Sequence, residues 1–369
     1  MTDAPLRSDE RDQFLRDAGW ADAKIVTLKG DASTRSYARL TRNDQTAILM
    51  DAPNRLEKSA CPQDATHEER RALGYNAEAR LAGPNLNAFI QIAKALSKAG
   101  FSSPSIIHSD ADVGFLLLED LGDDLYTTAI AHGADENLLY EAAIDCLVDL
   151  HASSFQVPQS DEFCLLSYDT VALKRETKLL TDFYVKHTQG HDPSPDLVDQ
   201  LDAQWNHVIE LLPEPSVMVL RDYHAENLLW LPERTGIKRV GLLDFQDGLV
   251  GHPAYDLVSL LEDARRDVAS DLASAMLDRY IEKARNSISG FDAEQFKRDY
   301  AILGAQRNAK ILGIFARLID QDNKPKYSPF LPRVRGHFRQ NLAHPSLSGV
   351  REVIPHLSPS LLSVDSKSP

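Results

Sequence analysis

The sequence predicts an α+β fold of two lobes, a small β-rich N-terminal lobe followed by a larger α-rich one. Three observations predict it. Short apolar segments separated by polar turns fill residues 24–50 and 105–118. Beyond residue 122 apolar residues recur at helical spacing over long stretches. One strand–turn–strand segment, residues 227–245, interrupts those helices. At 369 residues the chain can hold two domains, or one two-lobed domain with a large core.

The elements follow in order. Residues 7–18 read as a helix with Phe14 and Leu15 on its apolar side. Residues 24–28, 37–40 and 46–50 read as a three-stranded meander, its first connection the small-residue loop Gly30-Asp31-Ala32-Ser33-Thr34-Arg35-Ser36. Residues 53–85, rich in Ala, Arg, Glu and Pro, read as a mobile or helical insertion that leaves a lid role open. Residues 87–99 form an amphipathic helix ended by Gly100. Two further strands, 105–108 and 114–118, lead to Glu119-Asp120-Leu121-Gly122, where the lobe boundary is placed. The expected division is therefore 1–121, 122–345 and a Ser/Pro-rich tail, 346–369, that is peripheral or disordered. Helices are expected over 134–152, 169–187, 194–212, 253–287, 292–319 and 329–341. Two lobes of this kind leave a cleft, a common place for a ligand site.

Composition narrows the function classes. The net charge of −15 argues against a nucleic-acid surface and against binding to anionic lipid, although a local basic pocket can still take an anionic substrate. Cys61, Cys146 and Cys164 lie far apart with no CxxC pair, which predicts reduced thiols in a cytoplasmic protein. The polar N-terminus shows no signal peptide and no apolar run could span a bilayer. The expected partner is a small molecule, and a monomer is the simplest state.

The chemistry concentrates in Leu220-Arg221-Asp222-Tyr223-His224-Ala225-Glu226-Asn227 and Gly241-Leu242-Leu243-Asp244-Phe245-Gln246. Asp222 follows a strand-like apolar run, so its carboxylate projects from a loop. Asn227 lies across the same short loop, and the hairpin returns Asp244 to its neighbourhood. A carboxylate that orients and deprotonates a hydroxyl, with hard oxygen ligands for Mg²⁺ on nucleotide phosphates, is what phosphoryl transfer needs. Taken singly, each residue is an ordinary turn or cap residue. All three at this spacing, after a β-meander and before a helix, point to function.

These residues resemble the H-x-D-x-x-x-x-N motif of the aminoglycoside phosphotransferase family, which has the protein-kinase-like fold. Leu220 stands where the motif's His often stands. Asp244-Phe245-Gln246-Asp247-Gly248 and Gly251-His252-Pro253-Ala254-Tyr255-Asp256-Leu257 extend the likeness, and the resemblance implies a structural role for Asp256. Gly30 to Tyr37, Leu49-Met50-Asp51-Ala52-Pro53 and the run Ala305 to Phe315 are similar to the anomeric amino-sugar kinase branch of bacterial cell-wall recycling. That resemblance implies ATP-dependent phosphorylation of the C1 hydroxyl of N-acetylmuramate or N-acetylglucosamine, with ATP and Mg²⁺ as cofactors.

It implies Asp222 as the base and Asn227 and Asp244 as metal ligands. Ser33, Thr34 and Arg35 would contact nucleotide phosphate, and Glu119 and Leu121 would lie at the adenine hinge. His224, Gln246, Arg307 and Lys310 would bind sugar, the last two as a cationic pair on one helix face for a lactyl carboxylate; a solvated basic stripe is the plain alternative. A kinase lysine on the third strand is missing, since Met50 ends it; Arg35 is the expected substitute and Arg39 the runner-up. His151 reads as a structural contact. Two alternatives stay open: an aminoglycoside- or choline-type acceptor, and a nucleotide-binding pseudoenzyme, supported by the missing lysine.

Overall fold

The computed structural model of the protein describes residues 4–28, 35–53, 61–83, 86–152, 154–159 and 163–363. Ser33 and Thr34 therefore lie outside the described residues. Nine strands occur among these residues: β1 (Lys24–Thr27), β2 (Ser36–Arg42), β3 (Gln45–Asp51), β4 (Ile106–Asp110), β5 (Phe115–Glu119), β6 (Val217–Val219), β7 (Leu228–Trp230), β8 (Val240–Leu242) and β9 (Leu249–Gly251). The chain divides into two compact units, residues 1–146, 156–165 and 225–248 in the first, and 147–155, 166–224 and 249–369 in the second.

In the first unit, β1 to β5 form one antiparallel sheet in the order β1-β2-β3-β5-β4. Asn43, in the left-handed region at φ 45°, makes the tight turn that joins β2 to β3. The helix α1 (Ala4–Asp17) buries Phe14 and Leu15 in one cluster with Trp20, Leu40, Ala47, Leu49, Phe115 and Leu117. Arg7 of α1 donates through Nε to Asp51 at 3.0 Å and through Nη1 to the Val113 carbonyl at 2.6 Å, and its guanidinium lies 3.8 Å from the centre of the Phe115 ring. The Met-Asp-Ala-Pro stretch is accounted for in part: Asp51 anchors α1, and Met50 is buried in the sheet opposite Leu116.

The insertion is helical where described. α2 (His67–Leu73) starts on a capping box between Thr66 and Glu69 and is followed by the short α3 (Tyr75–Glu78). α4 (Leu86–Lys98) buries Phe89, Ile92, Ala93 and Leu96, the stripe its sequence predicts. After β5 come α5 (Tyr126–Ala131) and α6 (Glu136–His151). The β7–β8 hairpin joins this unit through the backbone: Leu242 N donates to Ser102 O at 2.8 Å, and Trp230 N to Asp124 O at 2.7 Å. Those long-range backbone bonds, to residues just outside the five-stranded sheet, go with the placement of 225–248 in the first unit.

The second unit is helical around one long element. α7 (Thr170–Leu179) continues through a π turn, Leu180–Tyr184, into α8 (Val185–Gln189), followed by α9 (Pro195–Ile209). Then come α10 (Ala254–Leu261), α11 (Ser270–Ser287), α12 (Ala293–Asp320), α13 (Leu331–Leu342) and α14 (Ser348–Leu357). α12 packs against α7, α10 and α13. Two glycines permit that closeness, because a Cβ on Gly313 would run into the Leu179 backbone and one on Gly304 into the Asn341 amide.

Three expectations change. Residues 253–287 are two helices, not one, because Glu262 is pulled inward to accept from Asn308 Nδ2 at 2.6 Å and Asn341 Nδ2 at 2.7 Å. Residues 346–363 are not disordered: Val350, Ile354, Leu357 and Leu361 are buried, and α14 packs on α9. β9 was not expected, and it pairs with β6 across Val217↔Gly251 and Val219↔Leu249. No helix among the described residues is long and apolar enough to cross a membrane.

Candidate active site

Asp222 sits just past the end of β6, and the backbone leading to it is clamped twice. Leu220 N and Arg221 N donate to the two carboxylate oxygens of Asp256, at 2.6 and 2.8 Å. Arg221 holds a left-handed backbone at φ 70°, uncommon for a side chain of this size. Its guanidinium pairs with buried Glu176 and lies 4.8 Å from the centre of the Tyr168 ring. Asp256 stands in the first turn of α10, where the helix dipole supports a carboxylate. Burial pushes its pKa up to about 7 against the pull of the two N–H bonds.

The charge of Asp222 is stabilised from α12. Burial alone would raise its pKa, but Lys310, then His224 in its protonated form, Arg307 and Arg221 outweigh it and hold the carboxyl below the usual range. His224 is pushed down to about 4, chiefly by burial, so it is neutral near pH 7 and adds no cationic charge. Asp222 is thus an ionised, half-buried carboxylate at neutral pH. That is the state required to orient a hydroxyl and take its proton.

Arg307 and Lys310 make their direct contacts with different groups. Lys310 Nζ lies 3.0 Å from Glu176 and 3.4 Å from the Tyr255 hydroxyl. Arg307 turns to Ser259, donating through Nη2 at 2.7 Å. The stripe is not solvated, since Arg307 is 4 % exposed. His224 Nε2 lies 3.3 Å from Arg265 Nη1.

In the first unit the hairpin brings Asn227 and Asp244 to one end. Leu228 pairs with Leu242, and Leu243 N donates to Asn227 O at 3.0 Å. Asp244 is exposed and left-handed, at φ 54°. Gln246, expected to bind sugar, donates through Nε2 to Asp244 Oδ1 at 2.7 Å and orients that carboxylate. The Gln246 Oε1 atom is buried with no partner among the described residues. Asp247 accepts from Ala82 N at 2.6 Å, and Phe245 stacks on Phe89 with ring centres 4.7 Å apart. Two hard oxygen donors at one hairpin end, one held in place by an amide, fit a Mg²⁺ ion that takes its other ligands from phosphate and water. Burial, then the charge of Asp244, raises the Tyr37 hydroxyl to about 12.

The remaining nucleotide-side residues also lie in the first unit. Arg35 Nη2 donates to Gly83 O at 3.0 Å. Arg39 is committed elsewhere: it forks onto Asp120 at 2.7 and 3.0 Å and reaches Asp123 at 2.8 Å. Glu119 accepts from Ser105 and pairs with Arg234 at 2.7 Å, and its backbone N–H donates to Ser105 O at 2.9 Å, so both its side chain and its N–H are structural. Leu121 is half-buried.

Sequence reasoning missed Glu176, Tyr168, Asp263 and His337. One signal existed for Glu176, which falls on the same helical stripe as buried Ala172, Leu173 and Leu179, a core position for a charged residue.

His151 is structural. Its Nδ1 lies 2.8 Å from the Tyr280 hydroxyl inside the second unit, and burial pushes its pKa down to about 3. A lowered histidine favours the folded state above its ordinary value of 6.5, and that contribution is lost as pH falls from there toward 3. The stability advantage of wild type over His151→Gln, measured by urea unfolding, should therefore shrink by about 2 kcal/mol between pH 7 and pH 5.

The architecture has counterparts among solved structures. Choline kinase LicA from Streptococcus pneumoniae superposes with a TM-score of 0.55 at 12 % identity, covering 94 % of this chain and 99 % of that one. The ADP-bound aminoglycoside phosphotransferase APH(2'')-Ib gives 0.52 at 15 %, covering 91 % and 99 %. The fold is that of the protein-kinase-like phosphotransferases. Residues 24–291 match the family model of the phosphotransferase enzyme family, and the chain belongs to that family. It is 42 % identical to the N-acetylmuramate/N-acetylglucosamine kinase of Caulobacter vibrioides, over 95 % of this chain and 96 % of the relative. It is 31 % identical to the enzyme of the same name from Pseudomonas aeruginosa, over 92 % and 91 %.

Proposed function

We propose that this chain is an ATP- and Mg²⁺-dependent kinase that phosphorylates the anomeric hydroxyl of N-acetylmuramate and N-acetylglucosamine, in the cytoplasm and within peptidoglycan recycling. The observation that carries the substrate is the 42 % identity to a kinase of that name along nearly the whole of both chains. The ionised, doubly clamped Asp222 supports the chemistry.

Asp222 accepts the proton of the C1 hydroxyl and aims its oxygen at the transferred phosphoryl group. Asn227 and Asp244 hold Mg²⁺, and Gln246 keeps the Asp244 carboxylate in register. Bound there, the ion would neutralise charge on the nucleotide phosphates. The backbone carbonyl of Glu119 and the backbone of Leu121 take the adenine. Arg35, with Ser33 and Thr34, is the phosphate-side candidate, because Arg39 is held by two carboxylates.

Purified protein with ATP, Mg²⁺ and a panel of amino sugars, aminoglycosides and choline tests this. Sugar-dependent ADP release with a sugar 1-phosphate product is expected. No turnover with either amino sugar overturns the substrate assignment. ATP binding without any transfer points to a pseudoenzyme.

A further inference from the structure

Among the buried polar atoms of the second unit that have no hydrogen-bond partner among the described residues are Arg307 Nη1, Asp263 Oδ2 and His337 Nε2. Arg307 reaches in from α12, Asp263 from the turn after α10, and His337 from α13. The elements that carry them pack together, α12 against both α10 and α13. Both Arg307 and Asp263 act on the charge of the His337 ring and on that of His224. Arg307 also helps to hold Asp222 ionised, which ties the cluster to the reacting end of the unit.

The other atoms of these groups are already occupied. Arg307 Nη2 donates to Ser259, and Asp263 Oδ1 accepts from Arg265 N at 2.8 Å. Asp263 is 1 % exposed. A direct ion pair between Arg307 and Asp263 would satisfy both orphaned atoms, yet none forms among the described residues. A buried guanidinium N–H and a buried carboxylate oxygen that face no partner are costly to leave so. They are matched by a ligand that carries an acceptor for the one and a donor for the other. The nearby carboxylate Glu262 is no rival for that ligand, because Asn308 and Asn341 already donate to it.

N-acetylmuramate differs from N-acetylglucosamine by a lactyl carboxylate, and the two share ring hydroxyls and an acetamido N–H. We infer that Arg307 and Asp263 form the subsite that reads the periphery of the acceptor sugar. In it Arg307 Nη1 donates to the lactyl carboxylate, and Asp263 Oδ2 accepts from a group common to both sugars. The inference rests on the amino-sugar reading above. It also separates Arg307 from Lys310: Arg307 selects, while Lys310 is held by Glu176.

The test is the preference ratio, kcat/KM for N-acetylmuramate divided by kcat/KM for N-acetylglucosamine, in wild type, Arg307→Met, Arg307→Lys and Asp263→Asn. Melting temperature reports folding separately. The ratio should fall about 10- to 100-fold in Arg307→Met, the usual loss for a hydrogen bond between charged groups. It should fall less in Arg307→Lys, which keeps the charge and serves as the second variant if Arg307→Met does not fold. Asp263→Asn should weaken both sugars together and leave the ratio within about threefold, because its partner is shared. An unchanged ratio in a folded Arg307 variant, with both sugars turned over by wild type, overturns the inference and leaves the amino-sugar reading standing. Wild type that turns over neither sugar overturns that reading, and the inference with it.

Discussion

Replacing Asp222 by Asn is expected to lower kcat about 10²–10⁴-fold, the range for losing a positioned general base. Asn keeps the size of the side chain and can still point an oxygen at the acceptor, so what disappears is the capacity to take a proton. The surroundings make that capacity matter. Asp256 fixes the two peptide N–H groups before Asp222, Glu176 holds Arg221, and Lys310 and Arg307 keep the carboxylate charged. Initial rates of ADP release at saturating ATP and sugar measure the effect, with nucleotide binding as the control for an intact fold. A variant within tenfold of wild type would remove Asp222 from the base role.

The legible part of this protein was what is local in sequence. Asp222 and Asn227 are five positions apart, and the hairpin that brings Asp244 beside Asn227 has a turn and two short apolar runs in plain view. The strands of the N-terminal sheet are short apolar runs set off by polar turns, although only β4 alternates in burial. What stayed hidden depends on partners far away in the chain. β9 is three residues long and exists because β6, some thirty residues earlier, offers it a ladder. The break after α10 contains no proline or glycine; Glu262 turns inward there to meet asparagines on α12 and α13. Arg307 and Lys310 stand three apart on one helix, and spacing alone predicts a shared job. Their separation follows from what faces each of them, a serine on α10 for one and a buried glutamate on α7 for the other. The Ser- and Pro-rich tail misled for a related reason: composition hid the helical period of Val350, Ile354 and Leu357.

Replacing Glu176 by Leu should cost about 3–5 kcal/mol of folding stability, the range for removing one partner of a buried ion pair. The residue is fully buried and faces two cations, Arg221 and Lys310, besides accepting from the Tyr168 hydroxyl and, at 3.0 Å, from Gln306 Nε2. Burial alone would raise its pKa, but Lys310 and Arg221 outweigh it, so the folded value lies below the ordinary 4.5. A lowered carboxyl adds stability that is complete above the unfolded pKa and is lost as pH falls through the folded one. The difference between wild type and Glu176→Leu in urea unfolding should therefore be full at pH 7 and narrow below about pH 4. Activity should fall as well, in the fraction that remains folded, since Arg221 loses its anchor and carries Asp222 at the next position. A double replacement, Glu176→Leu with Lys310→Met, should lose less stability than the two single losses added together, because the second change removes a charge that the first left unpaired. Simple additivity would mean that Lys310 finds a counter-charge other than Glu176, and that the field on Asp222 is built differently.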